Sequence, residues 1–429
     1  MARKIALLAA GTLLLAACSS GKPAGGPVDP AANVTITWWT GQAADPEKVL
    51  EDLAAEFHKA HPNVTINVSS GASTTDALLQ KITAGFAGDQ YPDISYAYGS
   101  WASELASSGR TLDITDKVND PAVRWSEFPE AARQTATPGG QVIGFPSLVD
   151  NLSLLYNKTV FDNAHVPYPT NDWTWDDFRK AAKQLTNAAT NTYGFGFTVE
   201  GSEDTTWQLW PLLWQLGGDV LSPDGKKSAF ASPAGVKALD FLRSMAVDDK
   251  SVYLDQTTEK YGPLFYSNQI GMIISGPYML HDLTTHNTQY GVTYLPAFEG
   301  KHTSISGPDL WVLLDHKDPN RAYWSYELTK WLTEPEQDAR WNLAMGNLPL
   351  RASETATPAF EDLRKQAPGI DVMAANAVNV TKPRPTVQGY VGLSQAVGEA
   401  VSKTLQGAAT SKEALDAAAA KADQALAGN

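Results

Sequence analysis

From Val34 the chain alternates apolar and polar residues, Val34-Thr35-Ile36-Thr37-Trp38, the pattern of a strand with one buried face. A helix signal follows. Asp45 and Pro46 stand as N-cap and first helical residue, and Val49, Leu50, Leu53 and Phe57 form one apolar stripe that stops before Pro62. Alternation returns at Val64, Ile66 and Val68, so the opening predicts strand, helix, strand, the unit that builds a parallel sheet. Leu78, Leu79, Ile82 and Phe86 give the next helical stripe, and Asp93-Ile94-Ser95-Tyr96 the next strand.

After about residue 150 the same grammar restarts. Thr174-Trp175-Asp176-Asp177 is a capping box with Asp in place of the usual Glu, opening a helix through Phe178, Ala181, Ala182 and Leu185. Ser232-Pro233 opens another, carrying Val236, Leu239, Leu242 and Met245. Residues 271–274 and 292–295 predict strands, and 320–332 and 335–345 predict helices, the second ended by Gly346. An Ala-rich helix begins at Ser411. Two successive rounds of this pattern predict two α/β lobes.

The first 33 residues follow a different rule. Arg3 and Lys4 precede an apolar run from Ile5 to Ala17, the layout of a secretory leader, and the run is shorter than the roughly 20 residues that span a bilayer. Leu15-Ala16-Ala17-Cys18 resembles a bacterial lipobox, which implies cleavage before Cys18, a diacylglyceryl group on its sulfur, and further acylation such as palmitate. Durable anchoring needs two or more acyl chains, which that group supplies. Residues 1–17 are therefore expected to be a signal peptide and 18–33, rich in Gly, Pro, Ser and Ala, a flexible tether. Cys18 is the only cysteine, so the folded part is expected to stand without a disulfide.

Composition narrows the function classes. The formal charge is −14, and no Lys/Arg cluster appears that would exchange for counterions on a phosphate backbone, so no nucleic-acid partner is expected. No Gly-rich phosphate loop, HExxH or GxSxG occurs, the seven histidines are scattered, and no cofactor or metal is expected.

Several stretches in one order, ITWWTG (36–41), YPDISYAYGSWASELASSG (91–109), VDNLSLLYNK (149–158), TWQLWPLLWQLGGDVLS (206–222), IGMIISGPYML (270–280), YGVTYLPAF (290–298) and GNLPLR (346–351), resemble the extracellular solute-binding proteins that feed sugars to ABC importers, the group that includes the maltose-binding proteins. The resemblance spans nearly the whole mature chain. It implies an α/β, two-lobed fold with mainly parallel sheets flanked by helices. Hinge strands would cross near 147–150, 300–308 and 346–350, with a ligand cleft between the lobes. Lobe 1 would comprise 34–147 and 308–346, and lobe 2 would comprise 148–307 and 347–429. The implied protein is a monomer, lipid-anchored on the extracytoplasmic face of an actinobacteria-like cell membrane, that passes a di- or oligosaccharide to permease subunits.

A sugar offers hydroxyls to carboxylates and amides, and apolar C–H faces to aromatic rings. By position in the family, the loop after Pro92-Asp93-Ile94 implies Tyr98, Ser100 and Trp101, although Tyr98 and Trp101 equally suit a cap on the first lobe's core. Asp150, six residues before Tyr156, aligns with an acidic sugar ligand, and Asn151 follows it. Trp207 and Tyr278 align with ring-stacking positions; Asp204, beside Glu203, reads as a ligand or as plain surface charge. Gly307 and Asp309 fall at the second crossover, where Gly permits close backbone approach and Asp309 also suits a turn. Arg351, Arg384 and Tyr390 complete the candidates, surface placement being the ordinary reading for both arginines. The first-strand loop, Trp39-Thr40-Gly41-Gln42, lacks the basic residue of the maltose-binding pattern; this argues against maltose itself and leaves Thr40 and Gln42 as its candidates. Two alternatives remain. A glycerol-phosphate or glycerophosphodiester ligand would make Arg351 or Arg384 a phosphate partner, and a secreted glycoside hydrolase would use paired carboxylates, for which no pair stands out.

Overall fold

The computed structural model describes residues 26–428 except 43, 73, 74, 202, 258 and 259; the leader, the lipobox and Cys18 lie outside the described residues. The strands are β1 (Val34–Trp39), β2 (Val64–Ser69), β3 (Ile94–Ala97), β4 (Gly144–Leu148), β5 (Ser153–Asn157), β6 (Tyr193–Thr198), β7 (Val252–Asp255), β8 (Ile270–Ser275), β9 (Tyr290–Thr293), β10 (Ser304–Ser306), β11 (Asp309–Leu313) and β12 (Val380–Pro383). They form two five-stranded sheets, β2-β1-β3-β11-β4 and β7-β6-β8-β5-β9, and a two-stranded pair, β10-β12. Helices flank both large sheets, giving the two lobes.

Neither large sheet is wholly parallel. β11 runs antiparallel to β3 and β4, and β5 runs antiparallel to β8 and β9. Each of these strands has just crossed from the other lobe: four residues separate β4 from β5 and two separate β10 from β11.

In the first lobe Trp38 of β1 and Trp311 of β11, both buried, meet edge to face with centroids 5.0 Å apart. Burying a large apolar side chain contributes about 1.5–3 kcal/mol. The second core gathers Trp175, Phe195 and Trp210, with the terminal helices Tyr390–Leu405 and Ser411–Leu426 packed against it. The helices Trp175–Leu185 and Ser411–Leu426 are reciprocally capped at their starts, by Thr174 with Asp177 and by Thr410 with Glu413.

Of the segment 347–375, expected in lobe 2, residues 348–363 pack on lobe 1, whereas 368–375 lie against β9 of lobe 2, where the Tyr290 hydroxyl donates to Pro368 O at 2.7 Å. Leu350 N–H donates to Asp338 Oδ2 at 2.9 Å, and Leu348, Leu350, Phe360 and Leu363 join the first core. The helix Pro358–Gln366 packs on the helix Pro335–Met345 of lobe 1, and the chain then returns to the second lobe at β9.

Candidate functional site

The crossovers β4–β5 and β10–β11, together with the turn after β12, converge on a cavity of about 430 Å³ between the lobes. Eight of the fifteen sequence candidates line it: Tyr98, Asp150, Asp204, Trp207, Tyr278, Gly307, Asp309 and Arg384. Tyr96, Leu148, Glu200, Glu203, Tyr261 and Asn347 complete the wall.

Asp150 leaves the end of the β4 crossover with Oδ1 accepting the Gly307 N–H at 2.9 Å, which ties one crossover to the other. Asp309, first residue of β11, accepts the Tyr96 hydroxyl at 2.5 Å and the Gly99 N–H at 3.3 Å. Arg384 follows β12, and its backbone N–H donates to Ser306 O at 3.3 Å, fixing its approach. Its guanidinium spans the lobes, with Nη2 3.5 Å from Asp309 and Nη1 3.4 Å from Glu203. The same group lies 4.9 Å from the Trp207 ring and 5.9 Å from the Tyr98 ring.

Trp207 projects from the helix Glu203–Gln215, and Tyr278 begins the helix Tyr278–Thr285. Glu203 is no surface charge: it accepts the Tyr390 hydroxyl at 3.0 Å and the Ser394 hydroxyl, besides meeting Arg384. Tyr390 is wholly buried behind it, holding Glu203 and receiving Trp210 Nε1–H at 2.9 Å, and does not face the cavity. Glu203 and Tyr96 escaped the sequence reading because their partners lie 187 and 213 residues away. The Glu203-Asp204 pair at a helix start was the one available signal.

The remaining candidates have other work. Thr40 is buried in the turn after β1, where its hydroxyl accepts the Gln42 N–H at 3.2 Å; Gln42 does not reach the cavity wall. Ser100 and Trp101 are buried behind Tyr98, whose ring Trp101 supports at 4.7 Å. Asn151 donates to Met373 O at 2.8 Å and belongs to a buried amide cluster with Asn376. Arg351 is 1% exposed, donates to Thr333 O and Val123 O, and stacks 4.2 Å from Phe128, so it is a structural arginine of lobe 1.

Burial shifts the cleft carboxyls upward. It pushes Asp150 to about 6 against the pull of the Gly307 N–H and Arg384, and Asp309 to about 7, opposed by Arg384 and assisted by the charge on Asp150. Asp204 rises to about 6 through burial, with Glu203 and Glu200 adding to it. Raised folded-state values mean that the folded protein holds more protons than the unfolded chain between about pH 4 and about pH 7, so stability falls as pH rises through that window. The melting temperature of the ligand-free protein should therefore rise from about pH 7.5 to about pH 5.5. Glu354, pushed up to about 10 by burial and by Asp338, adds a slope of the same sign elsewhere in the molecule. Asp309→Asn should flatten the profile in part; an unchanged profile in Asp150→Asn, Asp204→Asn and Asp309→Asn would contradict the burial account.

The model of the bacterial extracellular solute-binding protein family matches residues 41–339. The chain belongs to that family. A putative binding protein of Brucella abortus is 23% identical over 383 residues, covering 88% of this chain and 89% of the relative. The cyclic alpha-maltosyl-1,6-maltose binding protein from Arthrobacter globiformis superposes with a TM-score of 0.79 at 23% identity, covering 93% of this chain and all of that one. UgpB from Mycobacterium tuberculosis, solved with glycerophosphocholine, gives 0.81 at 15% identity over 92% and 98%. Identities this low establish a common fold, and with it the two-lobed solute-binding architecture around the cleft.

Proposed function

We propose that this solute-binding protein captures a carbohydrate of di- or oligosaccharide size outside the cytoplasmic membrane and delivers it to the permease of an ABC importer. The observation that carries the reading is the wall itself: carboxylates and an amide, suited to hydroxyl groups, stand beside Tyr98, Trp207, Tyr261 and Tyr278, suited to the apolar face of a sugar ring. The Arthrobacter relative's named ligand is a sugar. The Mycobacterium relative favours the second reading, a glycerophosphodiester, but Arg384 is the only Lys or Arg on the wall, and Asp309 and Glu203 already meet it. Those two acids already exceed its single positive charge, so a phosphate beside it would face net negative surroundings. Calorimetric titration with mono-, di- and trisaccharides and with glycerophosphodiesters tests the choice; we expect a saccharide to bind, and tight binding of a phosphodiester alone would overturn it.

We read the site as one for binding, without hydrolysis, because Glu203 and Asp309 have their oxygens committed to neighbouring donors. New reducing ends on incubation with oligosaccharides would contradict this. The protein works as a monomer, held at the extracytoplasmic face by the lipid on Cys18. Cys18→Ala should release it to the medium or leave an uncleaved precursor, whereas a wild-type protein without lipid mass would remove the anchor.

A further inference from the structure

The cleft carries more negative charge than its cation can balance. Arg384 is shared between Glu203 and Asp309, so these three groups leave one negative charge when all are ionised. Asp150, Asp204 and Glu200 add three more carboxylates, and none of them forms a salt bridge among the described residues. Asp150 has the backbone N–H of Gly307 as a partner, and Asp204 sits in the first turn of its helix, where the dipole helps but supplies no full charge. Asp204, Asp150 and Tyr278 all line this one cavity. Tyr261 and Tyr278 line the same cavity, and the faces of such rings attract cations. Closing this wall over a neutral sugar would strip water from unbalanced carboxylates; a ligand bearing its own positive charge would replace that hydration.

We propose that the cleft selects carbohydrates carrying a protonated amine, with Asp150 and Asp204 meeting the ammonium. The proposal rests on the carbohydrate reading and adds to it the charge of the ligand. An anionic ligand would be repelled by this surplus of carboxylates.

The test uses matched pairs that differ only in the amine: glucosamine against glucose, galactosamine against galactose, and the β-1,4-linked glucosamine disaccharide against cellobiose and against its N-acetylated form. Titrations on the mature protein at about pH 7, where such amines are largely protonated, should show at least one amine-bearing sugar binding about tenfold or more tighter than its neutral partner. In Asp204→Asn the ratio of amine-bearing to neutral affinity should fall to about threefold or less, over and above any loss common to both sugars; Asp150→Asn provides the same comparison should the first variant melt early. Neutral members binding as tightly as their amine counterparts, or binding alone, would overturn the proposal and leave the carbohydrate reading intact. Binding by no sugar of either charge would sink both readings. Equal loss of neutral and amine-bearing sugars in both Asn variants would show that the acids serve hydroxyls only, and would also overturn the proposal.

Discussion

Gly307→Ala should nearly abolish ligand binding while leaving the protein folded. A Cβ built at this position lies 2.3 Å from Trp207 Cη2, 2.7 Å from Trp207 Cζ3 and 3.0 Å from Arg384 Nη2. The Gly307 backbone does not adopt a positive φ, so the conflict is one of space. Backbone at the crossover is tied to Asp150 and cannot retreat, which leaves the indole to swing into the cavity. Overpacking of this kind costs about 1–3 kcal/mol of stability. The effect on binding should be larger, about a hundredfold or more, because the ring that would face the ligand then occupies its place; this corresponds to roughly 2.7 kcal/mol. Gly88→Ala, where the new Cβ meets only the Gln90 side chain at 3.9 Å, is the matched control and should change neither quantity. Wild-type affinity in Gly307→Ala would place the ligand elsewhere.

Arg384→Gln should produce the largest loss of stability. The substitution removes the one cation that both Glu203 and Asp309 meet, from a side chain only 9% exposed, and removes it from between the rings of the two lobes. Removing one partner of a buried ion pair costs about 3–5 kcal/mol, and less in a cleft open to water on one side. At about 2–4 °C per kcal/mol for a large domain, the melting temperature should fall by roughly 5–10 °C near neutral pH. The sign of the pH dependence identifies the cause. Asp309 already sits at about 7 and loses the arginine that holds it down, so acidification to about pH 5 neutralises it and should restore much of the loss. A deficit of the same size at both pH values would mean that packing against Trp207 and Tyr98 is the main role of Arg384, and the charge a minor one.

Much of the fold was legible because its elements announce themselves locally. The alternation in β1 and β2, the Thr174–Asp177 capping box and the stop at Gly346 each depend on residues a few positions apart. β6, Tyr-Gly-Phe-Gly-Phe-Thr, is harder to see, since glycines replace its polar positions; at Gly194 a Cβ would lie 2.0 Å from Ala182 O of the neighbouring helix. The antiparallel courses of β5 and β11 lie in long-range pairings that local periodicity does not reveal.

The site was legible where a residue's type matched its place, as with Asp150, Trp207 and Tyr278. It was obscure where a role depends on distant partners. Arg351 and Arg384 are both arginines in late, irregular segments, yet one is closed over by Phe128 and Thr333 of lobe 1 and the other stands between two acids in the cleft. Nothing within ten residues of either distinguishes them. Tyr390 and Glu203 exchanged their expected standing for the same reason, the buried tyrosine serving to hold the acid that reaches the wall.

Hydrogen–deuterium exchange with and without a saturating carbohydrate tests the central claim most directly, because widely separated parts of the chain line the cleft, four of them within 148–152, 203–210, 304–311 and 380–386. The account predicts that these four become protected together on adding ligand, with the outer faces of both lobes unchanged. Protection confined to another region, such as the open groove between β2 and the helix Ala44–Ala60, with these stretches unaffected, would contradict it.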